Sequence, residues 1–406
     1  MGKNHVVIIG GGFGGLSTFY GLNKHRHLFD ITLIDARKES LEKPALPEVA
    51  FAGKPVENVR IPLQPVIERR GGKFINERVI DIQPKQNEIT LESGQTVSYD
   101  FLVIATGAIK DYDAIPGLKT YGFSICDDDM APRLYERLQQ FHGGPIVTGA
   151  ALTEWAAHDD IKTLSAPCEG PIGEVMFMLD YELQHRGLRE KSPIHVFTPG
   201  EIFFEDVGPD VHRKFEPLIE AHNITVHTNK KIQSIEKDHV TFTDGSTMET
   251  ELSIVIPPYK GLDILKEAGL GDEKGYVYTD DAMRHPTYRN VYAVGDINAK
   301  SMPKLGHIAV IQAQIAAASI LHDVTGKGEI PPFKPEIFCI MDRGGHQATL
   351  ILSDHMYGES RDFTFSGPLA HLMKWSFDTY YYYTRGHLPP DFMQQGLSTI
   401  IEKIHR

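Results

Sequence analysis

The chain has 406 residues, of which 41% are hydrophobic and 23% charged, the composition of a globular protein long enough for two or three domains with their own cores. Its 54 acidic residues against 41 Lys and Arg give a formal net charge of -13, which argues against nucleic acid as a partner, because a phosphate backbone demands concentrated positive charge. Three cysteines, Cys126, Cys168 and Cys339, are too few for a secreted disulfide framework, so any disulfide among them is expected to be catalytic.

Met1 runs almost directly into an apolar strand, His5 to Ile9, without a basic segment, hydrophobic leader or small-residue cleavage site, which predicts a chain that starts in the cytoplasm. Gly10-Gly11-Gly12-Phe13-Gly14-Gly15 follows, then a helix to about Lys24 and a strand from Asp30 to Ile34 that ends at Asp35. Gly10, Gly12 and Gly15 fit G-x-G-x-x-G, which supplies a tight turn, close approach of backbone to a pyrophosphate, and close helix–strand packing. Asp35 is spaced to accept hydrogen bonds from ribose hydroxyls.

Residues 89–107 and 240–257 echo one another. Each reads as a hairpin with a turn glycine feeding a buried strand, Phe101 to Ala105 before Thr106-Gly107 in the first and Leu252 to Ile256 in the second. Two Rossmann-like units are therefore expected. The second has lost its fingerprint: Pro145 to Thr148 passes into Gly149-Ala150-Ala151-Leu152-Thr153-Glu154, and a polar insertion continues to Ser165. Without the second and third glycines a pyrophosphate cannot approach, which makes NAD(P)H a poor electron donor here.

Cys168, in Pro167-Cys168-Glu169-Gly170-Pro171, is expected at the mouth of a helix from Ile172 to His185, where the macrodipole would lower its thiol pKa; the bland reading is a small hydrophobe packed at a helix start. Farther on, Asn290 to Asp296 reads as a strand ending in Gly295-Asp296, and a helix is expected to begin near Lys304. Ile308 to Leu321, broken by Gln312 and Gln314, falls short of the ~20 apolar residues of a membrane span and reads as a core helix. Leu369, Leu372, Met373, Trp375, Phe377 and Tyr380 to Tyr383 suit either the headgroup level of a bilayer or the protein's own core. The 19 histidines show no metal-ligand spacing.

Taken together, Gly10-x-Gly12-x-x-Gly15, Pro44-Ala-Leu-Pro47, Ala105-Thr106-Gly107, Ser124-Ile125-Cys126, Cys168-Glu-Gly-Pro171, Ala293-Val-Gly-Asp296, Pro303-Lys304-x-Gly306, Cys339 and Lys374-x-x-Phe377 make the whole chain resemble the sulfide:quinone oxidoreductases. These belong to the two-dinucleotide flavoproteins that also include flavocytochrome c sulfide dehydrogenases and type II NADH dehydrogenases. The resemblance implies an α/β fold with two Rossmann-like dinucleotide-binding domains, the second degenerate, and a C-terminal amphipathic helical membrane and quinone region. The implied boundaries are 1–112 with 270–325 for an FAD-binding domain, 113–269 for the second domain, and 326–406 for the C-terminal region.

The resemblance further implies FAD as cofactor, held by Gly10, Gly12, Gly15, Asp35, Pro44, Thr106, Gly107, Gly295, Asp296 and Lys304. Cys168 and Cys339 would face each other beside the flavin as a disulfide or sulfur-bridged pair that hydrosulfide attacks. Cys126 matches a cysteine that carries the flavin covalently in some members and assists sulfur release in others; both roles stay open. Lys374, Phe377 and Phe392 would bind a quinone, so the implied partners are sulfide, a membrane quinone, a bilayer surface at its cytoplasmic face, and further copies in a homo-oligomer. The chain departs from the family in carrying Met130 and Phe203-Phe204-Glu205-Asp206 where relatives have histidines, with Glu169, Glu174 and Glu205 as substitutes or plain surface and capping carboxylates. Alternatives are a flavocytochrome-type sulfide dehydrogenase, a type II NADH:quinone oxidoreductase, and a flavin-containing sulfur sensor without turnover.

Overall fold

The computed structural model describes residues 2–155, 163–300 and 302–389. Val6, Val7 and Ile8 of the first strand, Asn4–Ile9, have no exposed surface, as a strand covered on both faces requires. It pairs in parallel with Phe29–Ile34 on one side and Phe101–Ile104 on the other. Lys73–Ile75 and Val291–Ala293 complete a five-stranded parallel sheet at its two edges. A second parallel sheet is built from Gly122–Phe123, Leu252–Ile256, Ile146–Ala150, Ile194–Phe197 and Ile224–His227, in that spatial order. Both are Rossmann-like, and the antiparallel pair Ile109–Lys110 with Tyr259–Lys260 lies where the chain passes between them.

Each predicted hairpin is present with a third strand that its irregular residues concealed. Val79–Gln83 joins Glu88–Leu91 and Thr96–Ser98, and Ile232–Ile235 joins His239–Phe242 and Thr247–Glu249. A register shift interrupts both added strands, which removes the clean alternation by which a strand is recognised.

The helix Gly306–Thr325 starts later than Lys304 and extends beyond Ile308 to Leu321 at both ends. With 20 residues and a mean hydropathy of 1.3 it reaches the length and apolarity of a membrane span, longer than its glutamines suggested. Its buried face packs against the glycine-loop helix, Phe13–Asn23, so it is a core helix.

The third layer is an antiparallel sheet of Ile337–Asp342, Ala348–Ser353 and Asp362–Gly367, on which the helix Pro368–Tyr383 lies. This helix is inverted relative to an ordinary surface helix. Ala370, Lys374, Asp378 and Tyr381 form the buried stripe, while Leu369, Leu372 and Trp375 are about half exposed.

Candidate functional site

Sterics explain two of the fingerprint glycines. Gly10 has φ +103, and a Cβ there would sit 2.3 Å from the Ala105 carbonyl oxygen; at Gly15 it would sit 1.8 Å from that of Gly10. Gly12 differs, because a Cβ there would meet nothing within 4 Å. It leaves open space at the N-terminus of a helix with no side-chain cap, where free N–H groups favour an anion. Asp35 fixes the loop by accepting from the Gly11 N–H at 2.6 Å and the Arg37 N–H at 2.7 Å. Burial raises its pKa while those donors oppose the rise.

Thr106 and Gly107, the latter at φ +68, follow the buried strand as expected. The Gly295 N–H donates to Gln312 at 2.7 Å, and Asp296 lies 3.6 Å from the Lys43 ammonium, which brings Pro44 to the same cleft. Lys304 departs from the helix-start role assigned to it. It precedes the helix, its N–H donates to the Pro167 carbonyl, and its ammonium donates to the Asn298 carbonyl at 3.0 Å beneath the rings of Trp155 and Tyr276. Burial lowers its pKa to about 8, with Asp296 and Asp272 opposing, so it is a desolvated lysine rather than a solvated one.

Cys168 and Cys339 both approach the head of one helix. A Cβ on Gly170 would lie 3.2 Å from the Cys339 sulfur and 3.9 Å from that of Cys168, so a chain atom larger than glycine's hydrogen would crowd the pair. One sulfur arrives from the loop before the helix Gly170–His185 and the other from the strand Ile337–Asp342. All three cysteines are free thiols here. Cys126 belongs to the same neighbourhood, since its charge and that of Cys339 both act on Cys168.

The predicted lowering of the Cys168 pKa is wrong in sign. Burial pushes this thiol well above its ordinary value, and the charges of Asp206 and Cys339 push the same way; the Gly170 N–H opposes them weakly. The helix begins at Gly170, two residues after Cys168, which weakens its dipole at the sulfur while desolvation acts in full. Cys339 is raised to about 12 by burial and by Glu174, against Lys374. Cys126 is also raised by burial, although hydrogen bonding to Ser124 and the Lys110 charge oppose it.

Around the sulfurs stand groups that sequence spacing did not reveal. Tyr259 is a hydrogen-bond partner of Cys126 and feels the charges of both Cys126 and Cys168. Asp206 acts on Cys168 and Cys339 alike, and burial raises its own pKa to about 6. Of the three glutamates considered, Glu205 accepts from Ser165, as a capping carboxylate would. Glu169 and Glu174 are buried instead, the first accepting from the Phe204 N–H at 2.7 Å with its pKa raised by burial to about 8. Met130 is a core residue.

Lys374 is buried in an ion cluster with Glu174 of the helix Gly170–His185 and with Asp342 of the C-terminal sheet, the latter at 3.2 Å. One turn on, Phe377 stacks with Tyr381, which stacks on Phe13 of the glycine loop at 4.6 Å. This places Lys374 and Phe377 on one helix that touches the cofactor loop; Phe392 lies outside the described residues.

The pyridine nucleotide-disulphide oxidoreductase family matches residues 4–313. A sulfide-quinone reductase of Aquifex aeolicus is 30% identical over 99% of this chain and 96% of its own length. The mitochondrial sulfide:quinone oxidoreductase of Mus musculus is 24% identical over 77% of this chain and 69% of its own. The X-ray structure of the Aquifex aeolicus sulfide:quinone oxidoreductase superposes with a TM-score of 0.88 at 29% identity, covering 98% of this chain and 95% of the other. The chain belongs to the pyridine nucleotide-disulphide oxidoreductases and, within them, to the sulfide:quinone oxidoreductase family.

Proposed function

We propose that this chain binds FAD and oxidises sulfide through Cys168 and Cys339, passing the electrons to a membrane quinone. The observation that carries this is the convergence of the two sulfurs on Gly170 in a chain whose relatives are sulfide:quinone oxidoreductases. Gly10, Gly12, Gly15 and Asp35 hold the dinucleotide, Thr106 and Gly107 line its path, and Pro44, Gly295, Asp296 and Lys304 border its redox end. FAD supplies a two-electron acceptor that a pair of thiols alone lacks.

In the oxidised pair, Cys168 and Cys339 share a disulfide. Hydrosulfide attacks one sulfur, the S–S bond breaks, and a persulfide forms on one cysteine while the other leaves as thiolate. Closure of persulfide and thiolate into a sulfur-lengthened bridge releases one proton and two electrons. FAD bound beside the pair would accept those electrons, and Asp206, a buried carboxylate whose charge acts on both thiols, would take the proton. Repetition lengthens the chain to a polysulfide. Cys126, hydrogen-bonded to Tyr259, is placed to assist sulfur release or to anchor the flavin.

Lys374, Phe377 and Phe392 bind the quinone. The apolar outward face of Leu369, Leu372 and Trp375, on a helix whose charged residues point inward, suits contact with a bilayer. Anaerobic titration tests the reading: sulfide should bleach the bound flavin and added decylubiquinone should restore it. Bleaching by NADH but not by sulfide would contradict it.

A further inference from the structure

The C-terminal helix buries two acids that nothing in the sulfur chemistry uses. Asp378 is 4% exposed and Glu42 only 1%, and neither carboxylate has a hydrogen-bond partner among the described residues. Such groups persist in a core when they carry a proton, which removes the charge that burial penalises. Burial raises Glu42 to about 9, with the Asp378 charge adding to it, and raises Asp378 to about 7, with Lys374 opposing.

The charged groups around them act on them through space. Glu42 feels the charges of Asp378 on the C-terminal helix and of Glu48 and Lys54, which lie on and just after the helix Leu46–Ala52, and its own charge acts on Tyr381. Glu48 and Lys54 pair at 2.7 Å and are each about a quarter exposed, so this end reaches solvent. Asp378, one helical turn from Lys374, feels the charges of Lys374, Glu48, Lys54 and Asp342. Lys374 continues to Glu174 and Asp342, and Asp342 accepts from His371 at 2.9 Å, which contacts His346. Although burial opposes it, Glu174 and Asp342 hold the Lys374 ammonium charged, so the acids beyond it are the groups with protons to give.

We propose that Asp378 and Glu42 store the proton consumed in quinone reduction and are refilled from solvent through Glu48 and Lys54. This rests on the reading that a quinone binds beside Lys374 and Phe377. Bound FAD, once reduced, would supply two electrons and one proton to the quinone. An O–H bond of Asp378 breaks and a quinol O–H bond forms, leaving quinol, oxidised flavin and a carboxylate; Glu42 reprotonates Asp378 and solvent reprotonates Glu42.

Glu42→Gln and Asp378→Asn keep shape and mimic the protonated acids, so both should fold. Two readouts decide. In wild type the urea midpoint should fall as pH rises from 5 toward 9, because the folded state holds protons that an unfolded acid near 4 has already released; each variant should flatten that slope. Reoxidation of sulfide-reduced flavin by decylubiquinone should slow by about tenfold or more in each variant. An unchanged slope, or a flattened slope with wild-type reoxidation, overturns the relay alone. A wild type whose reduced flavin ignores decylubiquinone removes the quinone reading itself, and the relay with it.

Discussion

Cys168→Ser should abolish sulfide-driven reduction of the flavin, with a loss of about a thousandfold or more in the single-turnover rate. A serine oxygen cannot form the bridge that hydrosulfide opens, and it cannot carry a persulfide. Cys339→Ser should fail equally, because the two sulfurs act as one unit and removal of either removes the bond that breaks. The double variant should then be little worse than either single one, the non-additivity expected of groups that share a step. Anaerobic rapid mixing with sulfide, read at the flavin absorbance, measures all three. A Cys168→Ser protein that bleaches at the wild-type rate would remove the cysteine pair from the mechanism.

Lys374→Met should cost about 3–5 kcal/mol of stability at neutral pH, because it strips the cation from two buried carboxylates. Glu174 accepts from both the Lys374 ammonium and the Asp342 N–H, and Asp342 keeps its hydrogen bond with the His371 ring. The effect depends on pH with a definite sign. Burial already raises Glu174 to about 7 against the pull of Lys374, so removing that pull raises it further. A raised carboxylate costs nothing below its unfolded value of about 4.5 and increasingly destabilises the fold above it. The deficit between Lys374→Met and wild type should therefore shrink toward pH 4 and widen toward pH 8 in urea unfolding. Slower quinone reoxidation in this variant would follow from lost quinone contact or a disrupted relay, whereas the stability deficit reports the ion cluster alone.

Much of this was legible in the chain. The glycine fingerprint, its two strands and Asp35 came from local spacing, and the contacts of Gly10 and Gly15 give the steric reason. The meeting of Cys168 and Cys339 was implied by family resemblance, and the structure brings both to Gly170. The error on Cys168 arose because a helix start is a local signal, while burial of the thiol and the charge of Asp206, distant in sequence, are not. Tyr259, Glu42 and Asp378 were invisible for the same reason. Each acquires its role from partners far along the chain, and a Tyr, Glu or Asp in isolation carries no spacing signal. Asp378 sits beside Phe377 in sequence, yet helical spacing from Lys374 puts it on the buried stripe rather than with the exposed Leu372 and Trp375.

The central claim is that sulfur from sulfide is carried on Cys168 and Cys339. Mass spectrometry of peptides from protein reacted anaerobically with sulfide, with no quinone added, tests it most directly. The account predicts the mass of one or more additional sulfur atoms on the peptide carrying Cys168, on that carrying Cys339, or bridging the two. Sulfur found only on Cys126, or on no cysteine while the flavin is reduced, would contradict it.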